Sequence, residues 1–330
     1  MTTYIQANTD GKLHSADKPS ISPLNRGFLY GDAIYEVWRT YDGILYAWDE
    51  HWLRLEASAR ATGIDLPLSQ SDALKQIKGT VSAFCRKSGE RPELYIRIQI
   101  SRGAGAIGLN PRLADKPSYV LLVQKLKSPG PEQTARGLKL ALAKTLHRNH
   151  PSTLNPVWKT GNYLNNILCL REAVASGADE VLMTNLAGEI CESSVSNIFF
   201  IRDGVLYTPP LAAGMLEGIT RASVLGPVAR TAGITATEKT IRPEELKLFS
   251  ECFIVSTTKE ICPINAIDDV HFTVGADTVT AKLQSAFRQH VVDYVKQYKG
   301  FRVLPSHQRF IANEPSLAPF SSELTTRRSK

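Results

Sequence analysis

Five places in this chain have residue types and spacing that could do chemistry. Lys159 stands in Pro156-Val157-Trp158-Lys159-Thr160-Gly161-Asn162-Tyr163, after a proline-broken extended segment and before a helical run at 164–176. Burial at such a boundary lowers a lysine pKa and frees its lone pair for Schiff-base chemistry. Glu192 lies among small residues in Cys191-Glu192-Ser193-Ser194-Val195-Ser196-Asn197, just before a strong strand. A carboxylate buried there needs a cationic partner, and a pyridinium N–H would serve. Leu216-Glu217-Gly218-Ile219-Thr220-Arg221 is a glycine turn opening a helix, whose free amides and dipole suit a phosphate. Ser256-Thr257-Thr258 places hydroxyls at a strand end, and Arg54 supplies a guanidinium that matches phosphate in two-point fashion.

These groups need elements to position them. In the first third, hairpin signals at Asp10-Gly11 and Asp42-Gly43 join strands 4–7 to 12–14 and 33–40 to 44–47. Asp49 is expected to cap a helix through Ala61, with Gly63 ending it, and Ser69 or Ser71 to start another running to about Lys87. Residues 94–100 and 119–124 read as strands. Residues 125–137, with two prolines and Gly130, read as a linker. Beyond it come a strand at 138–143, the helix after Lys159, a strand at 180–184 and a hairpin at Asp203-Gly204. A helix at 219–231, a strand at 252–256 and a long helix at 276–299 follow. Strands and helices interleave, but the hairpins exclude a purely parallel wound sheet. The expected organisation is a small N-terminal domain (1–124), the linker, a large domain (138–300) and an irregular, proline-rich tail (301–330) with a basic end.

The chain has 330 residues, 43% hydrophobic, enough for one large or two ordinary cores. No apolar run is long enough to span a bilayer, and the N-terminal stretch has no signal-peptide pattern. Five scattered cysteines without CxxC spacing argue against a disulfide framework or a zinc site and fit a reducing cytoplasm. Net charge is +7, but the basic residues are dispersed. That excludes a nucleic-acid groove and suits anionic small molecules.

A reactive lysine, phosphate donors and a lone carboxylate are the parts that pyridoxal phosphate requires. Their order also resembles a family. Arg26-Gly27-Phe28-Leu29-Tyr30-Gly31-Asp32, His51-Trp52-Leu53-Arg54, Lys159 to Leu164, Glu192 to Phe199 and Leu216 to Arg221 occur as in the class IV, or fold type IV, pyridoxal-phosphate aminotransferases. The group includes branched-chain and D-amino-acid aminotransferases, (R)-amine transaminases and aminodeoxychorismate lyase, and the resemblance covers roughly residues 4 to 298. It implies a mixed α/β fold, with a small N-terminal α/β domain and a larger C-terminal domain built on a barrel-like sheet. It implies Lys159 as the Schiff-base lysine, Glu192 on the pyridine nitrogen and Tyr163 on the cofactor's phenolate oxygen. Arg54, the Ile219–Thr220 amides and Thr257 would hold the phosphate, and Leu216 would pack on the ring. No metal is expected. The resemblance further implies a homodimer, with Tyr30 reaching into the partner's site.

Two blocks bear on substrate. Tyr95 and Arg97, two apart on one strand, share a face and resemble the carboxylate readers of branched-chain enzymes. The following Ser101-Arg102-Gly103-Ala104-Gly105 resembles the glycine-rich loop of that group, and no Arg-x-His follows. In Tyr35-Glu36-Val37-Trp38, however, Val37 replaces the usual glycine and is closer to the D-amino-acid and (R)-amine groups. A positioned cation discriminates more than a methyl-sized change. The expectation is therefore an aliphatic, branched-chain-like L-amino acid as donor and 2-oxoglutarate as acceptor, with Tyr30, Tyr35, Val37, Tyr95, Arg97 and Thr258 at the substrate. The alternatives are a D-amino-acid or (R)-amine transaminase, or a lyase of the aminodeoxychorismate type.

Overall fold

Paired positive φ angles at Asp10-Gly11 and Asp42-Gly43 give the backbone of tight two-residue turns. They join β1 (Ile5–Thr9) to β2 (Lys12–Ser15) and β3 (Ala33–Tyr41) to β4 (Ile44–Leu45). With β5 (Leu94–Ser101) and β6 (Ser118–Lys125) they form an antiparallel sheet of order β2-β1-β6-β5-β3-β4. The computed structural model describes residues 4–114 and 116–304. A short α1 (Arg26–Tyr30) precedes β3, and α2 (Trp48–Thr62) and α3 (Gln70–Ser88) cover one face of the sheet. Strand alternation does the sorting. Ile34 and Trp38 of β3 and Ile96, Ile98 and Ile100 of β5 pack with Trp52, Leu55, Ile77, Val81 and Phe84 of the helices. Tyr35, Val37, Tyr95 and Arg97 fall on the opposite face.

The start of α2 differs from expectation. Ala47, left-handed at φ 51°, makes the corner, and no side chain caps the helix. Asp49 lies one residue inside it, where its charge still meets the positive end of the dipole. Ser69 does cap α3, its Oγ accepting from the Asp72 N–H at 3.1 Å. The linker is not wholly irregular, because α4 (Pro131–Arg136) forms within it with Pro131 at its first position.

Past the linker come β7 (Leu138–Leu142), α5 (Leu164–Ala175), β8 (Glu180–Thr184), β9 (Ile190–Ser193) and β10 (Asn197–Arg202). β11 (Val205–Thr208) pairs with β10 across the Asp203-Gly204 turn, and β12 (Ala236–Glu238) pairs with β11. β13 (Glu251–Ser256) and β14 (Glu260–Ile267) complete a closed ring, β7-β8-β9-β10-β13-β14, and β15 (Val270–His271) pairs with β14. The β14–β7 and β7–β8 pairs are parallel and the rest of the ring antiparallel. This is the barrel-like sheet the resemblance implies. Its seam, β9 to β10, is one rung long, Glu192 opposite Asn197.

The helix expected at 219–231 is interrupted. α6 (Ile219–Ser223) passes into a wide turn at Val224–Val228 around Pro227, which has no N–H to donate, and resumes as α7 (Ala229–Ala232). α8 (Val279–Gln297) starts later than expected, at the Thr278 cap, whose Oγ1 accepts from the Ala281 N–H. Residues 301–304, read from sequence as the beginning of a loose tail, are docked. The Val303 N–H donates to the Gly43 carbonyl at 2.8 Å, Arg302 pairs with Asp42, and Leu304 is buried in the core of the first sheet. Gly43 permits this, since a Cβ there would come within 2.6 Å of the Leu304 carbonyl oxygen. The remainder of that tail, 305–330, lies outside the described residues, as do residues 1–3 of the N-terminal stretch.

Candidate active site

The uncovered face of the first sheet meets one end of the barrel across a cleft of about 390 Å³. Lys159, Arg54, Tyr163, Glu192, Leu216, Ile219, Thr220, Thr257, Thr258, Tyr35, Val37, Tyr95 and Arg97 all line it. Tyr30 does not. Its hydroxyl accepts from the Gly108 N–H at 3.1 Å, and its ring lines an adjoining surface groove with Gly31, Asn162 and Leu164.

Lys159 follows the linker in the chain, but its backbone is fastened to the first sheet. The Tyr35 N–H donates to the Lys159 carbonyl at 2.9 Å, and the Gly161 N–H to the Ala33 carbonyl at 2.8 Å. The Lys159 N–H donates to Ser58 Oγ of α2 at 3.1 Å. Nζ lies 4.6 Å from the centroid of the Tyr35 ring. Desolvation first, and the Arg54 charge second, push the amine down to about 7. The Tyr35 hydroxyl donates to the Tyr163 hydroxyl at 2.5 Å, so both phenols are fixed beside the lysine.

Glu192 sits on the barrel seam and is 4% exposed. Burial raises its pKa and outweighs the opposing charge of Arg148. Arg148 Nε donates to Oε1 at 2.8 Å, Asn197 Nδ2 donates to Oε2 at 3.3 Å, and the Leu216 N–H approaches both oxygens. The cation demanded by this carboxylate is thus supplied in part by the protein itself. Sequence reading passed over Arg148, although a buried carboxylate was reason to search for a basic residue in the preceding loop. Asn197 is a further residue to which the sequence reading gave no role at the site. Asn197 Nδ2 in fact ties Glu192 to the Leu216 carbonyl, and its Oδ1 sits so close to Gly218 that no Cβ fits there.

One residue beyond Leu216 in the same segment, Arg54 of α2 meets the start of α6. Its Nη1 donates to the Glu217 carbonyl at 2.8 Å, next to Gly218 and the first-turn amides of Ile219 and Thr220. Thr257 and Thr258 occupy the β13–β14 turn, and Ser128 Oγ of the linker donates to the Thr258 carbonyl at 3.0 Å. Arg97 stacks over Tyr35, its Cζ 3.8 Å from the ring centroid, and donates to Gln99 Oε1 at 2.7 Å. Among the described residues no carboxylate lies within ion-pair distance of Arg97, whereas Arg54 and Arg148 each have one. No three His, Cys, Asp or Glu side chains among the described residues form a group that could hold a metal. No helix there is long and apolar enough to cross a membrane.

The cleft therefore brings together a low-pKa lysine, a raised-pKa carboxylate and a set of anion donors at the start of α6. The family model for amino-transferase class IV matches residues 33–267. The chain is 32% identical over 280 residues to a putative branched-chain-amino-acid aminotransferase of Methanocaldococcus jannaschii, covering 84% of this chain and 94% of the relative. It is 31% identical to a D-alanine aminotransferase of Bacillus licheniformis, covering 86% and 96%. The structure of a branched-chain aminotransferase from Thermoproteus uzoniensis superposes with a TM-score of 0.80 at 31% identity, covering 90% of this chain and 98% of that one. Fold, site and relatives agree, and the chain belongs to the class IV aminotransferases.

Proposed function

We propose that the chain is a pyridoxal-phosphate transaminase that moves the amino group of an aliphatic, branched-chain-like L-amino acid to 2-oxoglutarate. The residues present suit the cofactor: Glu192 for the ring nitrogen, Tyr163 for the phenolate oxygen and Leu216 beside the ring. Arg54, the Ile219–Thr220 amides and Thr257 suit the phosphate. When bound, the cofactor supplies an electron sink that acidifies the substrate's Cα–H. Lys159 Nζ, its pKa pushed down to about 7 and the amine therefore increasingly neutral above that pH, takes that proton and returns one on the way back. Glu192 holds a proton at the ring nitrogen, and Arg148 keeps the carboxylate oriented for it. The Tyr35 hydroxyl donates to Tyr163, leaving the Tyr163 proton free to turn toward the cofactor.

The observation that carries the substrate reading is Arg97, a cleft guanidinium with a neutral hydrogen-bond partner and no carboxylate partner among the described residues. It suits the side-chain carboxylate of 2-oxoglutarate. Val37, also in the cleft, favours a second reading, transfer from a D-amino acid or an (R)-amine. A donor panel with both enantiomers of leucine, valine, alanine and 1-phenylethylamine tests the choice. L-leucine with 2-oxoglutarate is expected to be turned over fastest. Turnover of D-alanine or (R)-1-phenylethylamine with none of L-leucine overturns the reading, and pyruvate release without amino transfer marks a lyase.

The active form is a homodimer. Phe28, Ile107 and Leu109, at 71%, 76% and 78% exposure, gather near Tyr30 on α1 and the 103–109 loop, an apolar patch that a second copy would cover. Leu109→Asp is expected to shift the protein to monomer by light scattering. An unchanged dimer refutes that surface.

A further inference from the structure

Glu36 plays no part in the chemistry above, yet it is fully buried beneath the cleft. It projects from β3 on the face turned to α2, the side opposite Tyr35 and Val37. Its carboxylate collects four donors. Arg54 Nε donates to Oε1 at 2.6 Å, and Arg54 Nη2 donates to Oε2 at 3.0 Å. The Val37 N–H reaches Oε2 at 3.1 Å, and His51 Nδ1 lies 2.7 Å from the same oxygen. Burial alone would raise this carboxyl's pKa, but Arg54 and His51 together hold it well below the usual carboxylate range. Burial keeps His51 toward its neutral form, and its buried Nε2 has no partner among the described residues. The two-point contact with Arg54 fixes the plane of the guanidinium. Nη1 is left to serve the Glu217 carbonyl with one N–H, and its second N–H has no partner among the described residues.

We propose that Glu36 is the positioning residue for the phosphate end of the site, fixing Arg54 in advance so that a phosphomonoester is met without reorienting the cation. The inference rests on the reading of Arg54 as a phosphate ligand. A guanidinium on a flexible stem loses rotamer freedom when it grips an anion. Here that loss is incurred on folding, and the bound phosphate receives a preorganised donor. Glu36 also offsets one positive charge in a cleft that otherwise carries Arg54, Arg97, Arg148 and Lys159 against Glu192.

The test compares two unreactive ligands, 4-deoxypyridoxine 5′-phosphate and unphosphorylated 4-deoxypyridoxine. Each is titrated into the full chain freed of cofactor and followed by quenching of tryptophan fluorescence, Trp158 being in the cleft wall. Glu36→Gln is expected to weaken the phosphorylated ligand roughly 10- to 100-fold, the range for a lost buried charged hydrogen bond, and to leave the unphosphorylated one within about threefold. Added to Arg54→Gln, it should cost nothing further. Glu36→Asp, too short for the two-point contact, replaces it if the glutamine variant does not fold. Equal weakening of both ligands would mean a structural role and overturn the proposal. So would tighter phosphate binding, which would make Glu36 a competitor for Arg54. If Arg54→Gln itself weakens both ligands alike, the phosphate reading of Arg54 fails. If Arg54→Gln discriminates and Glu36→Gln does not, only the positioning role fails.

Discussion

Replacing Arg97 by leucine removes the one guanidinium of the cleft that has no carboxylate partner among the described residues. The side chain now donates to Gln99 Oε1 and lies 3.8 Å from the Tyr35 ring. Leucine keeps apolar contact with that ring but can donate to nothing. The loss of the Gln99 bond and of the cation–π contact falls on the enzyme whatever the acceptor, so it cancels in a ratio of acceptors. What does not cancel is the contact with an acceptor's distal carboxylate, about 1.5–3 kcal/mol for a hydrogen bond to a charged group. The expected result is a loss of kcat/KM for 2-oxoglutarate roughly 10- to 150-fold larger than that for 4-methyl-2-oxopentanoate, measured with one amino donor in single-turnover and steady-state assays. Equal losses for the two acceptors refute the assignment and leave Arg97 a support for Tyr35 and Gln99.

Lys159→Ala is expected to fold normally and lose transamination by several orders of magnitude, since nucleophile and proton carrier go together; near-normal turnover refutes its role. In the cofactor-free chain the Lys159 amine, held at about 7 instead of 10.5, is protonated below that pH and free above it. Its reaction with an aromatic aldehyde should therefore accelerate as pH rises through 7 and level off well before 10, whereas a rise delayed to pH 10 contradicts the desolvated site. Between those two values the unfolded chain binds the extra proton, so this group makes the cofactor-free fold more stable as pH rises through the window, and a urea titration at pH 7 and 9 reads the sign. Leu304→Ala, opening a cavity in the core of the first sheet, should cost about 2–4 kcal/mol in denaturant unfolding, while removing 305–330 should leave turnover nearly unchanged.

Local chemistry made much of this molecule legible. The Asp-Gly turns announced their hairpins because few other pairs tolerate two positive φ angles. Ser69 announced α3, and the alternation in Tyr95-Ile96-Arg97 placed the site-facing residues. The chemical groups around Lys159 and Glu192 could be matched to a cofactor because each lay in a continuous stretch of sequence. What escaped was assembled across long separations. Arg148 meets Glu192 forty-four positions later, and Glu36 meets Arg54 from an adjoining element with nothing local to mark it. Asp49 looked like a cap, yet the β4–α2 corner is made by backbone at Ala47, a strained left-handed alanine that composition does not signal. The docking of Leu304 was hidden for a similar reason. One leucine among several apolar residues of a proline-broken tail gains its meaning only from the space above Gly43.

The single rung at the barrel seam has a mechanical consequence. Glu192 and Asn197 face each other where β9 turns into β10, a turn that the Ser193 N–H also closes on the Ser196 carbonyl, and the same two side chains reach to Leu216 in the cleft wall. A ligand that engages the Glu192 carboxylate would brace this turn as it fills the site. Occupancy should then be read as local stiffening of the β9–β10 turn. Amide exchange along β9 and the first residues of β10 slows on loading, while the distant β1–β2 hairpin keeps its rate.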